Sequence, residues 1–174
     1  MSKQLIRKVT ENDSKEILDI YSYYIENTIA TFETETPSLE SFARRIKSMS
    51  EVYPYFVCTS DDSVIGYAYA SRHHERAAYR YDVDVSIYIK NDMCEKGIGT
   101  ELYSRLFEEL SLQNYYNAYA LIALPNEKSF ALHRKFGFKE IGIHRNTGYK
   151  FGKWLDVLWL DKIIKEHPQN PEGL

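Results

Sequence analysis

The stretch Val83-Asp-Val-Ser-Ile-Tyr-Ile-Lys-Asn-Asp-Met-Cys-Glu-Lys-Gly-Ile-Gly-Thr-Glu-Leu-Tyr-Ser-Arg-Leu106 decides the fold. It reads as a β-strand, a short polar turn, two glycines one residue apart and an amphipathic helix. That order builds a phosphate cradle. Gly97 and Gly99 let the backbone approach an anion closely, and the helix start offers unpaired N–H groups at the positive end of its dipole. A Walker loop is excluded because no Lys-Ser/Thr pair follows the second glycine. A dinucleotide fingerprint is excluded because Glu101, Leu102 and Tyr103 follow with no third glycine.

Outward from this segment, residues 4–9 alternate as a first strand, and Thr10-x-x-Asp13 has capping-box character. Ile17, Ile20, Tyr21, Tyr24 and Ile25 fall at helical spacing. Leu39, Phe42, Ile46 and Met49 make a second helical stripe, with Pro37 suited to its first turn. Residues 55–59 and 64–70 read as strands joined by a hairpin turn at Ser60-Asp-Asp-Ser63. Residues 71–80 are polar, rich in arginine and histidine, and read as a surface loop. After the central strand (82–89) and its helix, which turns Leu102, Leu106 and Leu110 inward, come a strand (119–124) and a helix (127–136) stopped by Gly137. Strands at 138–144 and 154–161 close the domain, and residues 167–174, with two prolines, read as a loose tail. The fold class is α/β (α+β), one domain over residues 1–166 with a mixed sheet.

Bulk properties narrow the function. A chain of 174 residues supports one domain with a real core. With 22 basic and 25 acidic residues interspersed and a net charge of -3, no field favours nucleic acid or a membrane surface. No apolar run approaches the ~20 residues of a membrane span, and the N-terminus has no signal-like apolar region. Cys58 and Cys94 lie in different elements without metal-ligand spacing, which points to a reducing, cytoplasmic setting. The 15 tyrosines read chiefly as amphipathic residues at the core edge, with a share lining a small-molecule pocket.

Period two along the central strand places Asp82, Asp84, Ser86 and Tyr88 on one face and Val83, Val85, Ile87 and Ile89 on the other. A polar face there is either solvated or the wall of a cleft. Asn126 follows a strand and opens a helix, as an N-cap does, and His133 lies two turns further along the same face. His73-His74-Glu75 hints at metal, but adjacent histidines diverge and no further ligand is spaced nearby, so no metal is expected.

The glycine segment, as Cys94-Glu-Lys-Gly-Ile-Gly99, resembles the Gln/Arg-x-x-Gly-x-Gly/Ala motif with which GNAT acetyltransferases bind a diphosphate. Thr28-Ile-Ala-Thr-Phe-Glu33, Ala78-Tyr-Arg-Tyr-Asp-Val-Asp84, Leu124-Pro-Asn126, Leu132-His133, Phe136-Gly-Phe138 and Gly148-Tyr-Lys-Phe-Gly-Lys-Trp-Leu-Asp156 are similar to the phosphinothricin acetyltransferase branch, over roughly residues 4–160. The resemblance implies a GNAT-fold domain with a mostly antiparallel, twisted sheet flanked by helices, with acetyl-CoA as cosubstrate. It implies that the backbone of Ile87, Tyr88 and Ile89 pairs with the pantetheine arm and that Glu95, Lys96, Gly97, Ile98, Gly99 and Thr100 hold the diphosphate. Asn126 would bond the cofactor arm. Asp84 would be the base that takes a proton from the acceptor amine, with Asp82 as fallback, and His133 the acid for the departing thiolate. Phe32, Glu33, Arg76, Tyr79 and Tyr149 fall in segments resembling the acceptor-lining ones, an arginine beside an aromatic wall suiting an α-carboxylate. The acceptor would be a small amino-acid-like amine, attacked directly in a ternary complex, and the protein a homodimer. A CoA-binding module without turnover, and an acetyltransferase for a polyamine or a protein N-terminus, are the rival readings. Two departures stand out: Cys94 replaces the usual Gln or Arg, and Asp84 replaces the usual glutamate.

Overall fold

The computed structural model describes residues 4–94 and 97–171. Seven strands, β1 (Gln4–Lys8), β2 (Tyr55–Ser60), β3 (Ser63–Arg72), β4 (Asp82–Ile89), β5 (Asn117–Ala123), β6 (Lys139–Lys150) and β7 (Lys153–Ile163), form one sheet in the order β1-β2-β3-β4-β5-β7-β6. All neighbours are antiparallel except β4 and β5. Four helices flank the sheet: α1 (Ser14–Asn27), α2 (Leu39–Ser50), α3 (Ile98–Leu112) and α4 (Glu127–Lys135).

The strand alternation sorts two cores. Phe56, Ala68, Ala70, Val83 and Val85 pack with Leu102, Tyr103, Leu106 and Leu110 of α3. Tyr55, Val57 and Tyr67 pack with Ile17, Tyr21 and Ile25 of α1 and Phe42 and Ile46 of α2. Much of the tyrosine excess lies in this second core. Tyr55, Tyr67 and Tyr69 stack on one another, Tyr88 continues the stack from Tyr67, and Tyr21 and Tyr24 meet Tyr88 edge-on. Stacked and edge-on rings fill a broad interior while their hydroxyls reach polar partners.

Local signals explain where elements begin and turn. Asp13 accepts the Arg7 guanidinium through two bonds of 2.7 Å and the Thr10 N–H at 2.7 Å, completing the capping box and tying β1 to the start of α1. Burial alone would raise the Asp13 carboxyl, but these bonds hold it below its ordinary range. Asp13→Ala is therefore expected to cost about 1–3 kcal/mol at neutral pH. Because the folded-state value is the depressed one, this contribution is full above the unfolded value of about 3.9 and fades as pH falls through the folded one. Urea unfolding of parent and variant at neutral and acid pH checks both the size and the sign.

Three expectations shift. Ser38, accepting from the Ser41 N–H at 3.2 Å, caps α2, so Pro37 precedes the helix instead of entering its first turn. Strands β6 and β7 are longer than their alternation suggests and meet in a two-residue turn at Phe151 and Gly152, both with positive φ. The register of β6 shifts between His144 and Gly148, where Asn146 has φ 50° and donates its N–H to Asp156 at 2.8 Å. This bulge carries polar residues through the strand and hides its continuity. Finally, the start of the expected loose tail is attached: His167 bonds Asn117 at 2.9 Å and lies on Tyr116.

Candidate active site

Strands β4 and β5 start side by side and part. Their parallel pairing covers only Asp82–Asn117, Val83–Ala118 and Asp84–Tyr119. Beyond Asp84, β4 stays with β3 while β5 stays with β7, whose ladder reaches Ala123–Val157. A cleft of ≈ 440 Å³ opens between them, walled by residues 85–89, by Leu121, Ile122 and Ala123, by the first turns of α3, and by Asn126, Ser129, Leu132 and His133 around α4. This volume is in the range of small-molecule sites.

The parting exposes backbone. Lys90 donates its N–H to Ile65 of β3, and Ala70, opposite Val85, donates to Pro54 on its other side. In an antiparallel ladder, paired and unpaired residues alternate. The N–H and C=O groups of Val85, Ile87 and Ile89 therefore turn away from β3 toward the cleft, while those of Ser86 and Tyr88 face β3. One of the exposed carbonyls, that of Ile89, accepts the Tyr24 hydroxyl at 2.7 Å. Of the three residues expected to pair with a cofactor arm, Ile87 and Ile89 present backbone to the cleft, whereas Tyr88 contributes its ring to the tyrosine core.

At the cleft's far end, Gly97 caps α3 with φ 82°, a left-handed conformation that suits glycine, and a Cβ there would meet nothing within 4 Å. Gly99 has a different reason. Its Cβ would lie 3.1 Å from Ile89 Cδ1 and 3.2 Å from Leu132 Cδ2, so the bare Cα lets α3 close on β4 and α4. Ile98 is buried, and Thr100 on the lip receives Lys135 Nζ at 3.0 Å. Lys135 and the cleft-lining Lys128 went unnamed in the sequence; their place on α4, in its first turn for Lys128 and at its last residue for Lys135, was the available signal. Glu95 and Lys96 lie outside the described residues. Cys94 reaches the Lys90 carbonyl at 3.7 Å.

Asn126 caps α4 through Oδ1, which accepts from the Ser129 N–H at 3.2 Å, and it lines the cleft. His133 also lines the cleft, yet is only 4% exposed. Its Nδ1 lies 2.7 Å from the Ser129 carbonyl, which can only accept, so Nδ1 carries the proton. Nε2 then accepts the hydroxyl of fully buried Tyr103 at 2.9 Å. Burial also lowers the pKa of His133. Both ring nitrogens of a neutral imidazole are thus engaged, a geometry suited to shaping the wall; the proton expected for a leaving thiolate is already committed to Ser129.

Asp84 is partly buried at the last rung before the strands part. Burial raises its carboxyl above the usual range, and His73 and His74 partly oppose that shift. His73 Nδ1 lies 2.7 Å from Asp84 Oδ1, and the His73 ring stacks on Tyr119 at 4.0 Å. Asp82, the fallback base, has Oδ1 tied to the Asn117 amide at 2.7 Å.

The five expected acceptor residues fall into two groups. Phe32 lies over Gly148, where a Cβ would come within 2.1 Å of its ring, and Tyr149 follows, packed on Trp154. Buried Lys150 donates to the Thr31 carbonyl at 2.8 Å and fixes this corner. Glu33 Oε1 accepts from Tyr21 at 3.1 Å and pairs with Arg45. Arg76 and Tyr79 belong to the other group, lining a broad depression with His74 and Asp82 on the His73 side. The Arg76 guanidinium has no partner among the described residues. No cluster of three His, Cys, Asp or Glu side chains occurs among the described residues, and no described helix is long and apolar enough to cross a membrane.

Residues 6–159 match the acetyltransferase (GNAT) domain model. The chain belongs to the GNAT acetyltransferase family. It is 35% identical to a phosphinothricin N-acetyltransferase of Streptomyces coelicolor, over 91% of this chain and 95% of the relative. It is 28% identical to an L-methionine sulfoximine/L-methionine sulfone acetyltransferase of Salmonella typhimurium, over 93% and 95%. The crystal structure of a GNAT superfamily phosphinothricin acetyltransferase from Sinorhizobium meliloti, in complex with AcCoA, superposes with a TM-score of 0.93 at 34% identity, over 99% of this chain and 94% of that one. This acetyltransferase is thus an acetyl-CoA-dependent N-acetyltransferase of GNAT type, with a seven-stranded mixed sheet flanked by four helices.

Proposed function

We propose that this acetyltransferase moves acetyl from acetyl-CoA to the amine of a small amino-acid-like acceptor of the phosphinothricin, methionine sulfone or methionine sulfoximine type. The observation that carries the reading is the carboxylate of Asp84, at the point where β4 leaves β5 and exposes its backbone. The N–H groups of Ile87 and Ile89 would pair with the pantetheine arm, and one of them would polarise the thioester oxygen. Gly97, Ile98 and Thr100, at the start of α3, would receive the diphosphate, with Gly99 setting how closely the helix packs. Asp84 takes a proton from the acceptor ammonium, directly or through one water, because only the neutral amine attacks. The amine nitrogen then bonds the acetyl carbon as the C–S bond breaks, and the second proton lost by the nitrogen passes, directly or through water, to the departing sulfur, so that CoA leaves as the thiol. Cys58 is buried in the core on the α3 side and Cys94 lines the cleft at its α3 end, on the Lys90 carbonyl and away from the Asp84 rung, which supports direct attack over an acetyl-enzyme. His133 keeps a place in this scheme through Tyr103 as a wall of the cleft.

The free guanidinium of Arg76, with Tyr79 beside it, supports an acceptor carrying an α-carboxylate. Arg76→Ala is expected to raise the acceptor KM by ~10–100-fold while the acetyl-CoA KM moves less than ~3-fold. The check is initial-rate kinetics with methionine sulfone and its α-carboxamide. The variant should cease to prefer the acid. Unchanged preference, or faster turnover of a polyamine by the parent, favours the polyamine reading. A homodimer is supported by the apolar side chains Ile141, Ile143, Phe151 and Trp154, all exposed along the β6–β7 edge.

A further inference from the structure

We propose that His73 is the positioning residue for the catalytic carboxylate: its ring N–H ties down Asp84 Oδ1 and leaves Oδ2 to receive the proton of the acceptor amine. The inference rests on the reading of Asp84 as base, and adds a residue to it.

Three observations carry the assignment. First, the contact is a built one. His73 Nδ1 and Asp84 Oδ1 are 2.7 Å apart, the His73 side chain is 8% exposed, and Oδ2 has no partner among the described residues. Second, the ring is held independently of the carboxylate. It lies flat on Tyr119 at 4.0 Å with planes 13° apart, and His74 abuts its edge at 4.5 Å. Tyr119 is itself the partner of Asp84 across the β4–β5 pair, and Ser71 is its partner on β3. His73, two residues beyond Ser71, therefore reaches the carboxylate from the end of β3 at the level where the sheet splits. Third, aspartate is one methylene shorter than glutamate and holds its charge nearer the backbone. A fixed donor on one oxygen sets where the other stands, which a short, partly buried carboxylate needs to meet a substrate amine consistently.

The surroundings show what else bears on its titration. His74 and Tyr79 approach from the loop after β3, Tyr69 from β3 itself, and Tyr119 from β5, with Asp161 of β7 acting on Tyr119. Asp82 shares the strand but is bonded to Asn117, and Glu33 and Arg45 reach this group through Tyr69. Among these, His73 alone bonds Asp84. An N–H donor favours the ionised carboxylate. Removing it shifts the carboxyl to higher pH, so the acid limb of the kcat/KM profile moves the same way. The proton taken from the amine leaves Asp84 for solvent once product departs, which closes the cycle without another reagent.

The test compares His73→Phe, which keeps a ring on Tyr119 and removes the donor, with His73→Asn, which restores an N–H, and with Asp84→Ala. In His73→Phe, kcat should fall ~10–100-fold with both KM values within ~3-fold, and the acid limb should move to higher pH by ~0.5 unit or more. His73→Asn should recover most of the loss and return the limb toward the parent position. Should the phenylalanine variant fail to fold, His73→Leu against His73→Asn carries the same comparison. Parent-like kcat and an unmoved acid limb in the donor-less variant, with Asp84→Ala inactive, overturn the role of His73 and leave the base in place. Parent-like turnover in Asp84→Ala removes both.

Discussion

Replacing Asp84 with alanine is expected to lower turnover by ~10²–10⁴ at neutral pH while acetyl-CoA binding stays within ~3-fold of the parent. The split follows from position. Asp84 is at the rung where β4 and β5 part, and the exposed backbone that would hold the cofactor arm begins beyond it at Val85. Removing the carboxylate takes away the proton acceptor and leaves the cleft walls, α3 and α4 as they were. The deficit should shrink as pH rises, because more of the amine is then already neutral. Steady-state CoA release from about pH 6 to about pH 9, paired with calorimetric titration of acetyl-CoA, separates the two effects. Turnover equal to the parent's across that range removes Asp84 from the mechanism and turns attention to Asp82, the other carboxylate on that face of β4, whose Oδ1 is bonded to Asn117.

The second large effect is expected at Gly99. A valine there pushes against Ile89 on one side and Leu132 on the other, both already at the distance where a first Cβ needs its neighbours to yield. Overpacking of this kind costs about 1–3 kcal/mol. The strain falls on β4 and α4, two walls of the cleft, so acetyl-CoA affinity should drop by ~10-fold or more, each decade being about 1.4 kcal/mol. Gly97→Ala provides the contrast. Its Cβ meets open space, so the change acts only through the strain of a left-handed alanine, about 1 kcal/mol. Thermal unfolding and calorimetry on both variants distinguish packing from conformation. Gly99→Val with parent stability and parent affinity would contradict this account of the glycine pair.

Much of the frame around this cleft was legible in the sequence. The central strand was bounded correctly at 82–89, because its alternation is uninterrupted and its two faces differ in polarity. Leu102, Leu106 and Leu110 do face the sheet, and Asn126 does cap its helix. What alternation cannot reveal is how far two strands stay paired. The parting of β4 from β5 after a single short ladder creates the cleft, and it depends on β7 holding β5 along its length. Nor does spacing show which glycine faces open space and which is packed against the protein. Gly97 and Gly99 look alike in sequence, but one has a left-handed backbone and the other a crowded Cα.

His73 illustrates a second limit. Beside His74 and Glu75 it suggested metal, because residue type is visible in a sequence and loop path is not. Only the turn of the chain after β3 brings it to Asp84 and lays it on Tyr119, 46 residues further along the chain. His133 shows the reverse. Its place on α4 was read correctly, but the Ser129 carbonyl and the Tyr103 hydroxyl that occupy its nitrogens come from helix geometry and from α3. The expected acceptor residues could be named one by one in the sequence but not sorted into their two groups, since the Phe32 corner depends on the β6 bulge and on Lys150, both unremarkable as sequence.

The central claim is the transfer itself, and product analysis tests it most directly. Parent enzyme incubated with acetyl-CoA and methionine sulfone, methionine sulfoximine or phosphinothricin should release CoA and form N-acetyl product in equal amounts, identified by mass at the α-amine. Spermidine and a peptide with a free N-terminus, run in parallel, should give little of either. Tight acetyl-CoA binding without acetylation of any amino-acid analogue, or faster acetylation of spermidine or the peptide, would contradict the account.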